Sequence, residues 1–234
     1  MNSKVSNRKK AIACCKVRGE LYAALSLYFS LPSEKMLRDL TKDLFSHMEG
    51  GLFDSSPDFV SVQESFCQFQ ALAHTESEKE TKEAARRFNV EYTRLFLVPS
   101  NSRIFLYETM HQKSNELLMG AVAEEVMQIY RDGGLVLHGA FKDLPDHFTV
   151  QCEYLAHMAR REGKAWIQGE PLQAEIYFRR SASFFDRHLG SWGPSLCALI
   201  LEQAQTDFYR ALASLTDKFM AWDMKMRNEA ACWL

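Results

Sequence analysis

Apolar residues along this chain recur at intervals of three and four, and no stretch alternates convincingly one by one. In "GELYAALSLYFSLPSEKM", Leu21, Ala24, Leu25 and Tyr28 share one face at i, i+3, i+4 and i+7. That spacing predicts a helix ended by Pro32, with Ser33 as the cap of the next. A glycine pair, Gly50 and Gly51, and the polar run from Asp54 to Asp58 around Pro57 mark a turn before a helix through "FVSVQESFCQFQALA". "TESEKETKEAARRFNVEYTRLFL" is polar in its first half and apolar in its second, with acids at the start where a helix dipole favours them. Beyond the loop "VPSNSR", a long helix is expected from about Tyr107 to Tyr130, stopping at "RDGG". Four more helical patterns follow, and Pro171 suits a first helical turn while Gly190 suits a helix end. The prediction is an all-α fold: a single globular helical domain of about eight or nine helices over residues 17–234, behind a flexible N-terminal tail of residues 1–16. Residues 132–146, interrupted by glycines and a proline, form the candidate hinge between two helical halves.

Composition narrows the class. The chain has 234 residues, 47% hydrophobic and 25% charged, which is ordinary for one well-filled core. A net charge of −2 gives no general attraction to nucleic acid or to an anionic membrane. No apolar run reaches the ~20 residues of a membrane span. The apolar run Ala11 to Cys15 stops at Lys16, too short for an export signal, so a cytoplasmic location is expected. Cysteines 14, 15, 67, 152, 197 and 232 form no C-x-x-C and no disulfide framework, so no zinc site follows.

Enzymatic motifs are mostly absent: there is no G-x-S-x-G, phosphate loop, G-x-G-x-x-G or H-E-x-x-H. Glu108 and His111 have the i, i+3 spacing of helical di-iron ligands, but the only echo is Glu153 with His157 at i, i+4. Polar pairs on a helix surface account for both, and neither a metal nor a cofactor is expected. In "KDLPDHFTVQCEYLAHMARR", Asp146 and His147 open three readings: a helix cap, an acid–base couple, or part of a gripping surface. The structural version makes Asp143 the N-cap and Asp146 an acid favoured by the dipole. Phe148, Cys152, Leu155 and Ala159 form a core stripe; His147, Gln151, Tyr154 and Met158 form the next, as a groove wall or a half-buried edge.

Three stretches together resemble one family. "LPDHFTVQCEYLAHM" resembles the Asp-His helix entry of the TorD/DmsD/NarJ chaperones of molybdenum-containing redox enzymes. "FNVEYTRLFLVPSNSRIFLYETM" resembles that family's aromatic-x-x-Leu-Phe helix end, loop and aromatic-Glu-Ser segment. "FFDRHLGSWGPSLCALILEQAQTDFYRALASLTDKFM" resembles its His-Leu…Trp…Phe-Tyr tail, so the likeness spans about residues 18–222. The sequence departs where Val98 precedes Pro99, where Phe105-Leu106 stands in place of two prolines, and where Thr109 replaces serine. The resemblance implies a cytoplasmic chaperone and not an enzyme. Its partner would be the N-terminal region, often a twin-arginine signal peptide, of an apo catalytic subunit awaiting its molybdenum cofactor. A NarJ-like client that is not exported is the alternative, and a helical metal-dependent enzyme is the runner-up class. Carried over by position, the peptide-binding residues are Tyr92, Leu95, Phe96, Tyr107, Glu108, Asp146 and His147. The resemblance implies a monomer, or a dimer made by exchanging helical halves.

Overall fold

The computed structural model describes residues 2–40, 56–99, 103–112, 120–135 and 144–230. Among these the chain is all-α, with nine α-helices and no strand. The helices are α1 (Asn2–Tyr28), α2 (Glu34–Leu40), α3 (Pro57–Ala73), α4 (Glu78–Tyr92), α5 (Ala121–Asp132), α6 (Phe148–Gln168), α7 (Pro171–Arg187), α8 (Leu189–Gln203) and α9 (Asp207–Ala230). A π-helical turn, Thr93–Leu97, extends α4, and a single 3₁₀ turn covers Glu108–Met110.

Local signals explain most boundaries. The Ser33 side chain accepts the Met36 N–H at 3.1 Å and caps α2. Ser77 accepts from Glu80 N–H while the Glu80 carboxylate accepts from Glu76 N–H, so a reciprocal cap opens α4. Pro171 opens α7, and Gly169 ends α6 in the left-handed conformation at φ 77°.

Three expectations need correction. Residues 2–16, expected as a tail, are helical; Arg8 donates to the carbonyls of Trp166 and Ile167, and Cys14 and Cys15 are buried. The long helix from Tyr107 does not form as such. Tyr107 is extended, the 3₁₀ turn follows it, and α5 begins only at Ala121. Gly190 does not close α7, which ends at Arg187, but stands in the first turn of α8. A Cβ there would lie 2.7 Å from the Phe185 ring, so glycine is required by close approach.

The chain divides into two compact units, one from residues 1–26, 106–192 and 224–234, the other from 27–105 and 193–223. Residues 132 and 146, the ends of the candidate hinge, belong to the same unit, and 136–143 lie outside the described residues. In the first unit α6 packs along α7, with Tyr154 and Phe184 ring centroids 4.5 Å apart. Arg18 donates to Glu162 at 3.1 Å and to Ser181 at 2.9 Å, and Arg227 donates to the same serine. Burial first, and then the Glu162 charge, push the adjacent Cys15 thiol up and keep it a protonated core residue. The second unit is built on aromatic packing: Phe88 stacks on Phe208 at 3.9 Å, and Phe59 meets Trp222 at 5.2 Å. Each fully buried Phe there stabilises the unit by about 2–3 kcal/mol.

Candidate functional site

Tyr107, Glu108, Asp146 and His147 come together in the first unit, although 37 residues or more separate the two pairs. Tyr107 and His147 form an antiparallel bridge. Beside it Glu108 N–H donates to the Asp146 carbonyl at 3.1 Å, and Phe148 N–H donates to the Leu106 carbonyl at 2.8 Å. The start of α6 is thereby stitched to an extended segment. His147, not Asp143, is the N-cap, with Nδ1 accepting the Thr149 N–H; Asp143 lies outside the described residues. Helix capping needs an acceptor on the residue entering the helix, and the cap falls four residues later than the expected Asp143.

Asp146 precedes the cap and points back to the 3₁₀ turn. Its Oδ2 accepts from both the Thr109 N–H (3.1 Å) and the Thr109 hydroxyl (2.6 Å). A hydroxyl is what this position uses, and threonine supplies it as well as serine. Asp146 Oδ1 is buried and has no hydrogen-bond partner among the described residues. A lone carboxylate oxygen kept from water is costly unless something donates to it.

Glu108, fully buried, anchors a second network. Gln151 Nε2 donates to Oε2, Gln112 donates to Oε1 at 3.0 Å, and His188 Nδ1 stands 3.1 Å from both oxygens. Trp192 Nε1 in turn donates to Gln151 Oε1 at 3.0 Å. Tyr130 donates to the Pro145 carbonyl at 2.8 Å; burial first, then the negative charges of Glu108 and Asp146, push its hydroxyl well above the ordinary tyrosine range. Tyr107 is half-buried and its ring meets the His147 imidazole edge-on at 4.9 Å, so it is the member of the four nearest to water.

Tyr92, Leu95 and Phe96 belong to the second unit and are all buried. Tyr92 and Phe96 pack ring to ring at 5.0 Å, Phe96 meets Tyr209, and the Tyr92 hydroxyl donates to the Phe29 carbonyl at 3.3 Å. Their turn is π-helical: Val98 N–H reaches back five residues to the Thr93 carbonyl at 2.9 Å. Glu91 accepts two hydrogen bonds from Arg94 and one from Gln205 N–H, and so staples this turn to the segment ahead of α9.

The residue pairs with metal-like spacing do other work. His111 lies against Trp192 at 4.8 Å, and Glu153 accepts from Ser26. Among the described residues no three His, Cys, Asp or Glu side chains are placed to share a metal ion. Tyr130, His188 and Trp192 are members of the cluster to which motif and spacing assign no role, and Gln151, placed by spacing on the second α6 stripe, joins them. The signal for His188 and Trp192 is the "RHLGSW" stretch within the family-like tail. In the second α6 stripe Gln151, Tyr154 and Met158 are buried, so it is a core face and no half-exposed edge.

The family model described as nitrate reductase delta subunit matches residues 55–198, more than half of the chain. The chain is 24% identical over 216 residues to the chaperone protein TorD of Shewanella pealeana, covering 89% of this chain and 88% of that one. It is 29% identical over 116 residues to a perchlorate reductase assembly chaperone protein of Dechloromonas aromatica, covering 49% of this chain and 50% of that one. A selenate reductase assembly chaperone protein of Thauera selenatis is 30% identical over 91 residues, 39% of this chain and 45% of that one. In fold, the chain is similar to a crystal structure from Archaeoglobus fulgidus assigned to redox enzyme maturation. The TM-score is 0.52 at 16% identity, over 87% of this chain and 93% of that one. These relatives are assembly proteins and not catalysts, and no helix among the described residues is long and apolar enough to cross a membrane. The chain belongs to the nitrate reductase delta subunit family, the TorD/NarJ-type chaperones of redox enzyme maturation.

Proposed function

We propose that this chain is a cytoplasmic assembly chaperone that binds the N-terminal leader of the apo catalytic subunit of a molybdenum-containing oxidoreductase, and releases it after cofactor insertion. The observation that carries the reading is the buried acid cluster. Among the described residues one Asp146 oxygen has no donor, and Glu108 sits one hydrogen-bonded segment away. A guanidinium has the fork of donors that such an oxygen lacks. Tyr107 and His147 are the cluster's aromatic face, and with Glu108 and Asp146 they make up the proposed site, all within the first unit. Because Asp146 is closed off by residues 106–110, arginine entry requires that segment to lift, which exchanges the Thr109 hydrogen bonds for those of the leader. A transient complex suits an affinity of about 1 μM.

The match to a family described by a nitrate reductase subunit favours a second reading, in which the client is assembled without export. Calorimetry against leader peptides separates the two. A twin-arginine leader binds and its Lys-Lys version binds about tenfold more weakly under the first reading. Equal binding of both versions favours the second. Asp146→Asn keeps an acceptor for Thr109 but removes the charge, and weakens an arginine-bearing leader about tenfold or more without unfolding the chain. Full affinity in that variant removes Asp146 from the site.

A further inference from the structure

A second surface lies on α7 within the first unit, away from the leader residues in sequence. A cavity of about 370 Å³ opens between α5, α6 and α7. Tyr154 and Phe184 line it, and the guanidiniums of Arg179, Arg180 and Arg187 stand around it with the Ser183 hydroxyl. Against these three cations the lining has one acid, Asp132, in a chain whose net charge is −2. The Asp132 carboxylate accepts from Gln128, and Arg180 donates to the Asp132 backbone carbonyl at 2.8 Å. No carboxylate among the described residues lies within ion-pair distance of Arg180. Arg179 and Arg187 pair with Glu175 and Glu125, but their side chains are 72% and 55% exposed, and such pairs exchange readily.

Tyr154 supplies an independent sign. It lines the cavity with its ring packed on Phe184 at 4.5 Å, and its hydroxyl, the polar end of the side chain, is not sealed in the core. Burial pushes that hydroxyl up to about 12 against the lowering effect of Arg180, and like any tyrosine hydroxyl it is a donor at neutral pH. Arg180, which no described carboxylate pairs, and two arginines in exposed, exchangeable pairs thus converge with the Tyr154 and Ser183 hydroxyls on one cavity, which is the chemistry of an oxyanion site.

The face of α7 does not stop at the cavity. Leu172, 78% exposed, and Ile176, 45% exposed, precede Arg180, Ser183 and Arg187 at helical spacing on one side of the helix. The strip runs about 22 Å, apolar at its start and cationic at its end. A free anion would use only the second half. We infer that α7 docks an acidic amphipathic segment of a partner protein, its carboxylates held by Arg180, Arg187 and the cavity donors and its apolar residues laid on Leu172 and Ile176.

The test uses the full chain and two synthetic helical peptides with the same leucines, one bearing glutamates at the next turns and one bearing lysines there. Fluorescence anisotropy should show binding of the glutamate peptide alone. Arg180→Glu should weaken it about tenfold, as loss of a charge-assisted contact implies, and Leu172→Ser should weaken it several-fold. Both positions are exposed, so folding, checked by circular dichroism, is retained. Equal binding of both peptides, or no effect of Arg180→Glu, overturns the proposal. So does binding that millimolar orthophosphate abolishes and Leu172→Ser leaves intact, since that marks a small-anion site. Arg180→Glu should leave leader affinity unchanged; a parallel loss would assign this face to the leader and also overturn the inference.

Discussion

Two buried glutamates, Glu91 in one unit and Glu108 in the other, solve the same problem in opposite ways. Glu91 is closed by charge: Arg94 clasps both oxygens at 2.7 and 2.8 Å, and a backbone N–H completes the set. Glu108 is closed by amides and an imidazole, from Gln151, Gln112 and His188. A staple made by a salt bridge is self-sufficient and fixes local geometry. A carboxylate held by polar groups beside an acid with a spare oxygen is the less complete arrangement, and incompleteness is what a binding site needs. The difference sets a charge-closed staple at the π turn against a polar network at the α6 entrance, where the proposed leader contact lies.

Removing Glu108 is the harshest way to break the contrast. Glu108→Ala orphans donors from Gln151 and His188 in the core and should cost about 3 kcal/mol or more, read as a lower urea midpoint. Glu108→Gln keeps the shape and an acceptor, and should cost about 1 kcal/mol. Equal losses in the two variants would mean that packing and not polarity governs the cluster.

Glu91→Ala comes next, at about 2 kcal/mol, because the freed Arg94 is one-third exposed and regains water. A double-mutant cycle with Arg94→Ala should return a coupling of about 1 kcal/mol; zero coupling would dissolve the staple.

A pH titration sharpens the comparison further. Burial alone would raise the Glu91 carboxyl, but the hydrogen bonds from Arg94 and Gln205 outweigh it and hold the group below the ordinary glutamate range. The folded state therefore binds fewer protons than the unfolded one between the two values. The staple's contribution is full above about pH 4.3 and is lost as pH falls through the depressed folded value. Glu91→Gln should flatten stability in that window.

The smallest effect belongs to His157, whose imidazole is lowered by burial and then by Arg161 and Arg160. Here the unfolded chain takes up the proton first, so stability should fall slightly as pH drops below about 6.5. His157→Asn should remove that slope while leaving the acid limb of Glu91 in place.

Much of the architecture was legible in the residues. Ser33 and Pro171 announced helix starts because capping is decided within three or four residues. The stripe Phe148, Cys152, Leu155 and Ala159 is core, as its spacing requires. Local signals failed where a tertiary contact outweighed them. Residues 1–16 carry basic and polar side chains, but Arg8 reaches the end of α6 and residues 2–16 are helical. Gly190 has the look of a helix stop, but it is a glycine because Phe185 leaves no room for a Cβ.

The residues alone determined the all-α class, the order of most helices and the family likeness, since periodicity, caps and short motifs act over a few positions. Only the tertiary structure decided that Glu108 would meet His188, 80 positions away, rather than His111, three away. It also decided that Asp146 would face Thr109 and not the helix it precedes. The physical reason is that a buried carboxylate takes whichever donors packing delivers, and packing is a property of the whole fold.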